Sequence, residues 1–116
     1  MNPTKTLLAL NSVHPATLRH RHIAGLFRGR ELIAVGFNQR KSHPLQARFS
    51  KNKDSIYLHA EIHCIANALK VLKYNELKHC TMYIIRVQEK GLTNSAPCKG
   101  CRAALNAFNI GKVVHS

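Results

Sequence analysis

Thr81-Met82-Tyr83-Ile84-Ile85-Arg86-Val87 is the stretch that decides the fold. Seven residues, nearly all apolar and rich in β-branched and aromatic side chains, read as a strand covered on both faces. A strand of that kind needs helices above and below it. The sequence offers them on either side: Ile62, Ile65, Ala66, Leu69 and Leu72 recur at helical spacing before it, and Cys101, Ala104, Leu105 and Phe108 after it. The expected helices run over 59–72 and 98–108. Asn109-Ile110-Gly111 closes the second, and Lys112-Val113-Val114-His115 reads as a last short strand.

Further upstream, His22–Arg28 and Glu31–Phe37 are two β-like runs around Gly29-Arg30, a hairpin signal. Thr4–Val13 carries Leu7, Leu8, Leu10 and Val13 and reads as a short helix that Pro15 stops. Residues 91–96 are expected as loop. The order is helix, hairpin, helix, strand, helix, strand. Strands separated by helices require crossovers, so part of the sheet is expected to be parallel. The fold class is therefore α/β: a three-layer α/β/α sandwich on a mixed sheet of about four strands. The helices starting at His59 and Cys98 should lie side by side on one face.

The 116 residues predict one domain, 1–116, with room for one modest core. No stretch reaches membrane-span length and no signal peptide is evident, which predicts a cytoplasmic protein without membrane contact. Of the four cysteines, Cys98 and Cys101 form a C-x-x-C pair, while Cys64 and Cys80 sit in apolar runs and are expected as small buried residues. Reduced thiols are expected rather than a disulfide framework.

Eighteen Lys and Arg face five Asp and Glu, a net charge of +13. Such an excess points to an anionic partner, a nucleotide phosphate or a nucleic-acid backbone. A basic surface with no partner is the plainer alternative, since no basic run is dense enough to be a nucleic-acid motif. From Asn38 to Tyr57 the apolar pattern dissolves into Arg40, Lys41, His43, Arg48, Lys51 and Lys53. A loop this long is expected to be functional or disordered. It leads into His59, which favours a lid or a cationic wall beside a site. Arg19-His20-Arg21-His22 reads as a solvated strand start.

The chemistry is carried by two separated motifs. His59-Ala60-Glu61 opens one helix and Pro97-Cys98-Lys99-Gly100-Cys101 opens the other. Cys98 and Cys101, three apart on a helix, point the same way. With His59 they make a Cys₂His set for Zn²⁺ with a fourth position left for water, the pattern of a catalytic site rather than a closed structural one. Helix N-termini favour thiolate and anions. Glu61 lies about 200° round from His59 and is not placed as a ligand. On the first turn it can overhang the open position and move protons. His63, four residues after His59, is a rival ligand and leaves a Cys₂His₂ structural site open, at the cost of giving Glu61 no role. Either half-motif alone is weak or ambiguous.

In this combination the sequence resembles the zinc-dependent cytidine and deoxycytidylate deaminase superfamily, with its H-x-E…P-C-x-x-C signature. Gly36-Phe37-Asn38 resembles the family's G-x-N, and Ala96–Cys101 with Ala103-Ala104-Leu105 and Ile110–Val114 is also similar. The likeness spans roughly residues 4–115. It implies zinc-activated water attacking C4 of cytosine or C6 of adenine, with Glu61 shuttling protons and ammonia leaving. It implies that the Ala60 N–H contacts the base and that Asn38 anchors the sugar or base. It implies a nucleoside or nucleotide substrate and a homo-oligomer. Many members carry a further element after the strand equivalent to Lys112–His115, which this sequence up to Ser116 does not include, so Lys112–His115 is expected as an edge strand. Two other functions stay open: a deaminase of cytosine or adenine in single-stranded DNA, RNA or tRNA, and a non-catalytic zinc-stabilised nucleic-acid-binding module.

Overall fold

The structure, a computed structural model, describes residues 2–14, 21–49, 57–88 and 91–116. It has the element order α1 (Pro3–Ala9), β1 (Arg21–Arg28), β2 (Glu31–Phe37), α2 (Pro44–Phe49), α3 (Ala60–Ala68), β3 (Thr81–Gln88), β4 (Gly91–Thr93), α4 (Lys99–Ala107) and β5 (Lys112–His115). Short 3₁₀ turns follow α1 at Leu10–Val13 and precede β3 at Tyr74–His79.

Local chemistry sets the element ends. Asn2 caps α1, its Oδ1 accepting from the Thr4 and Lys5 N–H groups, and Pro3 occupies the first turn where its missing N–H costs nothing. Gly29 turns the β1–β2 hairpin at φ 62°. Helix α4 ends on Asn109 at φ 55°, with the Ile110 N–H reaching back to the Leu105 carbonyl at 3.1 Å.

The sheet is built around β1 and β3. β1 pairs antiparallel with β2 on one side and with β3 on the other. The far side of β3 is shared: its start, Thr81–Ile84, pairs parallel with β5, and its end, Arg86–Gln88, pairs antiparallel with β4. α4 is the crossover that makes the β3–β5 pair parallel. The expected mixed sheet is present with five strands rather than four. The additional one is β4, a three-residue strand in the segment expected to be loop. Such a strand carries too little sequence to show alternation. β5 has no second neighbour among the described residues, so it is an edge strand.

Both faces of the sheet are covered. Leu7 of α1 packs with Ile23, Phe27 and Ile85 on one face. On the other, Ala24, Leu26, Met82 and Ile84 meet Ile62, Cys64, Ile65 and Ala68 of α3 and Cys101, Ala104 and Leu105 of α4. α3 and α4 share that face, as expected. The three-layer sandwich is thus α1, the sheet, and α2–α4. Cys64 and Cys80 are buried free thiols. No helix among the described residues is long and apolar enough to cross a membrane.

Two further differences concern extent. Helix α3 ends at Ala68, with Leu69–Leu72 in turns, because the Lys70 and Val71 N–H groups bond back only three residues. The 38–57 segment contains α2, tied to the core by Leu45 and Phe49. Its remainder, 50–56, including Lys51 and Lys53, lies outside the described residues, as do Pro15 and Arg19-His20.

The contact that seats α3 is backbone on backbone. A Cβ on Gly36 of β2 would fall on the Ala60 carbonyl oxygen and on the Cys64 N and Cα. Only hydrogen fits there. Gly36→Ala should therefore destabilise the fold by about 3 kcal/mol or more. Gly29→Ala, at positive φ in open space, should cost only about 1 kcal/mol. Urea unfolding midpoints of the two variants check the contrast.

Candidate metal centre and cleft

His59 and Cys98 occupy equivalent places. Each is the residue immediately before its helix, in extended conformation, so its side chain leaves the chain where the first helical N–H groups are unpaired. The two helix starts meet. His59 Nδ1 lies 3.2 Å from Cys101 Sγ and 3.7 Å from Cys98 Sγ, and all three donor atoms fall within 4.8 Å of one another. A tetrahedral zinc, about 2.3 Å from sulfur and about 2.0 Å from nitrogen, sets such atoms about 3.5–3.8 Å apart. The trio fits that ion in donor type and in spacing. It is the one group of three or more His, Cys, Asp or Glu residues within metal-binding distance among the described residues.

Protons on the three are already unevenly shared. The Cys98 thiol is pushed down to about 3, first by the hydrogen bond from Cys101 and then by the bond to His59. The Cys101 thiol is pushed up, by its bond to Cys98 and by burial. His59 is raised, chiefly by its bond to Cys98. The Cys101 N–H also points to Cys98 Sγ at 3.5 Å, a helix-start donor supporting the thiolate.

Glu61 is on the first turn of α3 and only 5% exposed. Burial raises its carboxyl pKa, and the nearby His59 ring offsets part of that rise. Glu61 lines a cleft of about 310 Å³ whose walls also include His59, Ala60 and Cys98. Asn38, Gln39 and Arg40 form a second wall, with His22, Tyr57, Leu58, Ser95 and Ala96 completing it. The Ala60 N–H, first of the helix, has no intrahelical acceptor. Asn38 uses its Oδ1 to accept from the His22 N–H and from His14 Nε2, both at 2.8 Å.

His63 is elsewhere. Its Nδ1 accepts from the Phe37 N–H at 3.0 Å, and its Nε2 lies beside Asn67 at 3.2 Å. Burial lowers its pKa. It ties α3 to the end of β2 and is not in the metal group, so a Cys₂His₂ site using both histidines is excluded by geometry. One turn of helix does carry i and i+4 to the same face, but His59 precedes the helix and so escapes that rule.

Several residues here were not legible in the sequence. Gln46 of α2 is 1% exposed and accepts from the His59 N–H through Oε1 at 3.0 Å, fixing the backbone of the candidate ligand. Its segment read as patternless loop. His22, read as part of a solvated strand start, lines the cleft. Ser95 is buried with its Oγ donating to the Ile84 carbonyl at 2.9 Å, which holds the 95–96 wall against β3. Of the basic residues in 40–53, Arg40 reaches the cleft, while Arg48 lies over the Phe49 ring at 5.2 Å.

Comparison with known proteins agrees with this architecture. Two structures of dCMP deaminase from the cyanophage S-TIM5 share the fold with a TM-score of 0.61 each. The apo form is 18% identical, covering 99% of this chain and 84% of that one. The form in complex with dCMP and dUMP is 16% identical, covering 99% and 82%. Guanine deaminase from Bacillus subtilis has a TM-score of 0.58 at 22% identity, covering 100% of this chain and 64% of that one. No curated protein sequence matches the chain. A family model described as the cytidine and deoxycytidylate deaminase zinc-binding region matches residues 6–116. With that match over nearly its whole length, and with a His–Cys–Cys centre beside a buried glutamate, the chain belongs to the zinc-dependent cytidine and deoxycytidylate deaminase family.

Proposed function

We propose that this zinc-dependent deaminase converts cytosine to uracil in a nucleoside or a (deoxy)cytidine nucleotide. One arrangement supports the reading above others: buried Glu61 and two residues of the metal group, His59 and Cys98, line one cleft of about 310 Å³ whose wall also includes Asn38, just past the end of β2. That volume is at the small end for ligand sites and suits a single nucleoside or nucleotide.

His59, Cys98 and Cys101 would hold zinc. Bound zinc supplies Lewis acidity that makes water nucleophilic near neutral pH, from a pKa of 15.7 in bulk to about 7. Glu61 does the proton work. It takes a proton from the attacking water and delivers it to N3 of cytosine as the C4–O bond forms. It then passes the second proton to the exocyclic amine, the C4–N bond breaks, and ammonia leaves. Water and cytosine thus become uracil and ammonia, with Glu61 returned to its starting state. A carboxyl whose pKa is raised by burial is suited to carrying a proton between two bases. The Ala60 N–H and the Asn38 carboxamide orient the base and sugar. Arg40 at the cleft wall is the cation available to a substrate phosphate.

The +13 charge favours a second reading, a deaminase acting on cytosine or adenine in single-stranded nucleic acid. In that case binding falls steeply with salt, and oligonucleotides are turned over where mononucleotides are not.

Three measurements check this. Zinc content should be one ion per chain and should be lost in His59→Ala, Cys98→Ala and Cys101→Ala but kept in His63→Ala. Turnover of cytidine, deoxycytidine, their monophosphates and single-stranded oligonucleotides should show ammonia release from the small cytosine substrates; zinc-loaded protein inert on all of these would sink the enzyme reading. Glu61→Gln should retain zinc and fold yet lose at least about 10³-fold in kcat, the scale of a general acid–base group. Cellular function surviving that change would point instead to a non-catalytic binding module.

A further inference from the structure

Among the described residues β2 has one strand neighbour, β1, so its other edge carries backbone groups that a further strand would pair. Helix α3 meets that edge with side chains instead. Asn67 donates from Nδ2 to the Val35 carbonyl at 2.8 Å, and His63 Nδ1 accepts from the Phe37 N–H at 3.0 Å. Residues four apart share one face of a helix. The carbonyl of one strand residue and the N–H of the residue two further on share one edge of a strand. The two periods match here, and α3 is laid along the end of β2.

The His63 contact is a double one. The Phe37 N–H can only donate, so Nδ1 is an acceptor. The end of the Gln39 carboxamide that lies 3.2 Å from the same Nδ1 is therefore its Nε2, donating. One imidazole nitrogen thus holds the residues on both sides of Asn38. Gln39 is tied a second time, its N–H donating to the Leu58 carbonyl at 2.9 Å. The ring itself moves with the start of α3, because His63 follows Glu61 by two residues and its N–H donates to the His59 carbonyl at 3.0 Å. Asn38 and Gln39 form one wall of the cleft, and His59, Ala60 and Glu61 form another. Gly36 limits how closely α3 approaches β2, and His63 fixes where the chain runs once β2 has ended.

We propose that His63 is a positioning residue for the substrate. By accepting from both Phe37 and Gln39 it sets the spacing between the 38–39 wall and the helix turn that carries Glu61. This rests on the reading above only in taking the cleft as the substrate site. His63 belongs to neither the metal group nor the cleft lining. Its loss loosens one wall and weakens ligand binding. The first turn of α3, seated on Gly36, keeps Glu61 and His59 in place.

The test uses the full-length zinc-loaded protein. Amide hydrogen exchange at Phe37 reads the contact without any substrate. It should be slow in the wild type and at least about fivefold faster in His63→Leu, which fills the space but accepts nothing. His63→Asn should restore the protection, since its Oδ1 stands as many bonds from the backbone as Nδ1 does. Kinetics are then measured on the cytosine substrate that the wild type turns over, well below each thermal midpoint. His63→Leu should raise KM roughly five- to tenfold, the scale of one lost buried hydrogen bond, with kcat changed less than about threefold. His63→Asn should keep KM within about threefold of the wild type. A purely structural role would lower the thermal midpoint and leave KM unchanged. That result overturns the proposal, as does an Asn variant as impaired as the Leu variant, or Phe37 exchange that does not respond to His63→Leu. A wild type that turns over no substrate refutes the cytosine deaminase reading, and Phe37 exchange then decides whether His63 holds this wall. If His63→Leu does not fold, His63→Gln, whose acceptor lies one methylene further out, takes its place in both measurements with the same outcomes.

Discussion

Helix α3 lies on β2 with no side chain between them at Gly36, and the site depends on that approach. The hydrogen of Gly36 faces the Ala60 carbonyl and the Cys64 backbone. The first turn of α3 is thus fixed relative to the sheet to within the thickness of a peptide. His59 precedes that turn and Glu61 lies within it. A displacement of one methyl group would move both against Cys98 and Cys101, which are carried by α4. A zinc site tolerates errors of only about 0.2 Å in its bonds. The glycine is therefore a requirement of the chemistry as much as of packing. Asn38, two residues along the same strand end, shares the constraint.

The electrostatics follow from having two helix starts meet. Both α3 and α4 direct unpaired N–H groups at the same small volume, which favours thiolate at Cys98. Two thiolates balance the charge of a bound dication, so the site around it is close to neutral. Glu61 lies buried beside the trio, and burial raises its carboxyl pKa. The rise suits the proton-carrying role proposed for it. Elsewhere the chain is strongly basic, with five acidic residues in all. Among the described residues the one ion pair is the exposed Arg28–Glu31 contact, 4.0 Å long. Such a pair adds little stability. The cationic surface acts on what approaches the protein more than on what holds it together.

The strongest sequence signals were those with a period or a fixed spacing. β3 was legible because a strand buried on both faces must be apolar throughout. α3 and α4 were legible from their apolar stripes, and the layer order followed from the crossovers. β4 and α2 were not, since three residues of strand and six of helix carry too few positions for a period to emerge. At the candidate site, His59, Cys98 and Cys101 stand out because metal chemistry restricts residue type at fixed spacing, and Glu61 because it follows His59 at the spacing proposed for proton transfer. Gln46, Ser95 and His14 act through single hydrogen bonds to partners 13, 11 and 24 residues away. Glutamine, serine and histidine occur widely on surfaces, and no spacing rule marks such long-range pairs. His63 shows the opposite error. Its i, i+4 relation to His59 is a genuine ligand pattern, but the helix begins one residue too late for it to apply.

The same contrast separates reaction from substrate. The candidate metal ligands and Glu61 come from two short segments, each at the start of a helix, and each set by one backbone geometry. The other walls of the cleft come from the β1 start, the segment after β2, Tyr57–Leu58 before α3 and the Ser95–Ala96 stretch. Each of these is placed by the sheet edges and the loops between elements, where sequence constrains conformation least. Asn38 bridges the two regimes. Its position is set by the rigid end of β2, while its orientation is set by His14 from beyond the sheet and by the backbone of β1. Specificity in this fold then need not come from the loops alone, because Asn38, part of the cleft wall, is held by a residue from the layer opposite the metal group.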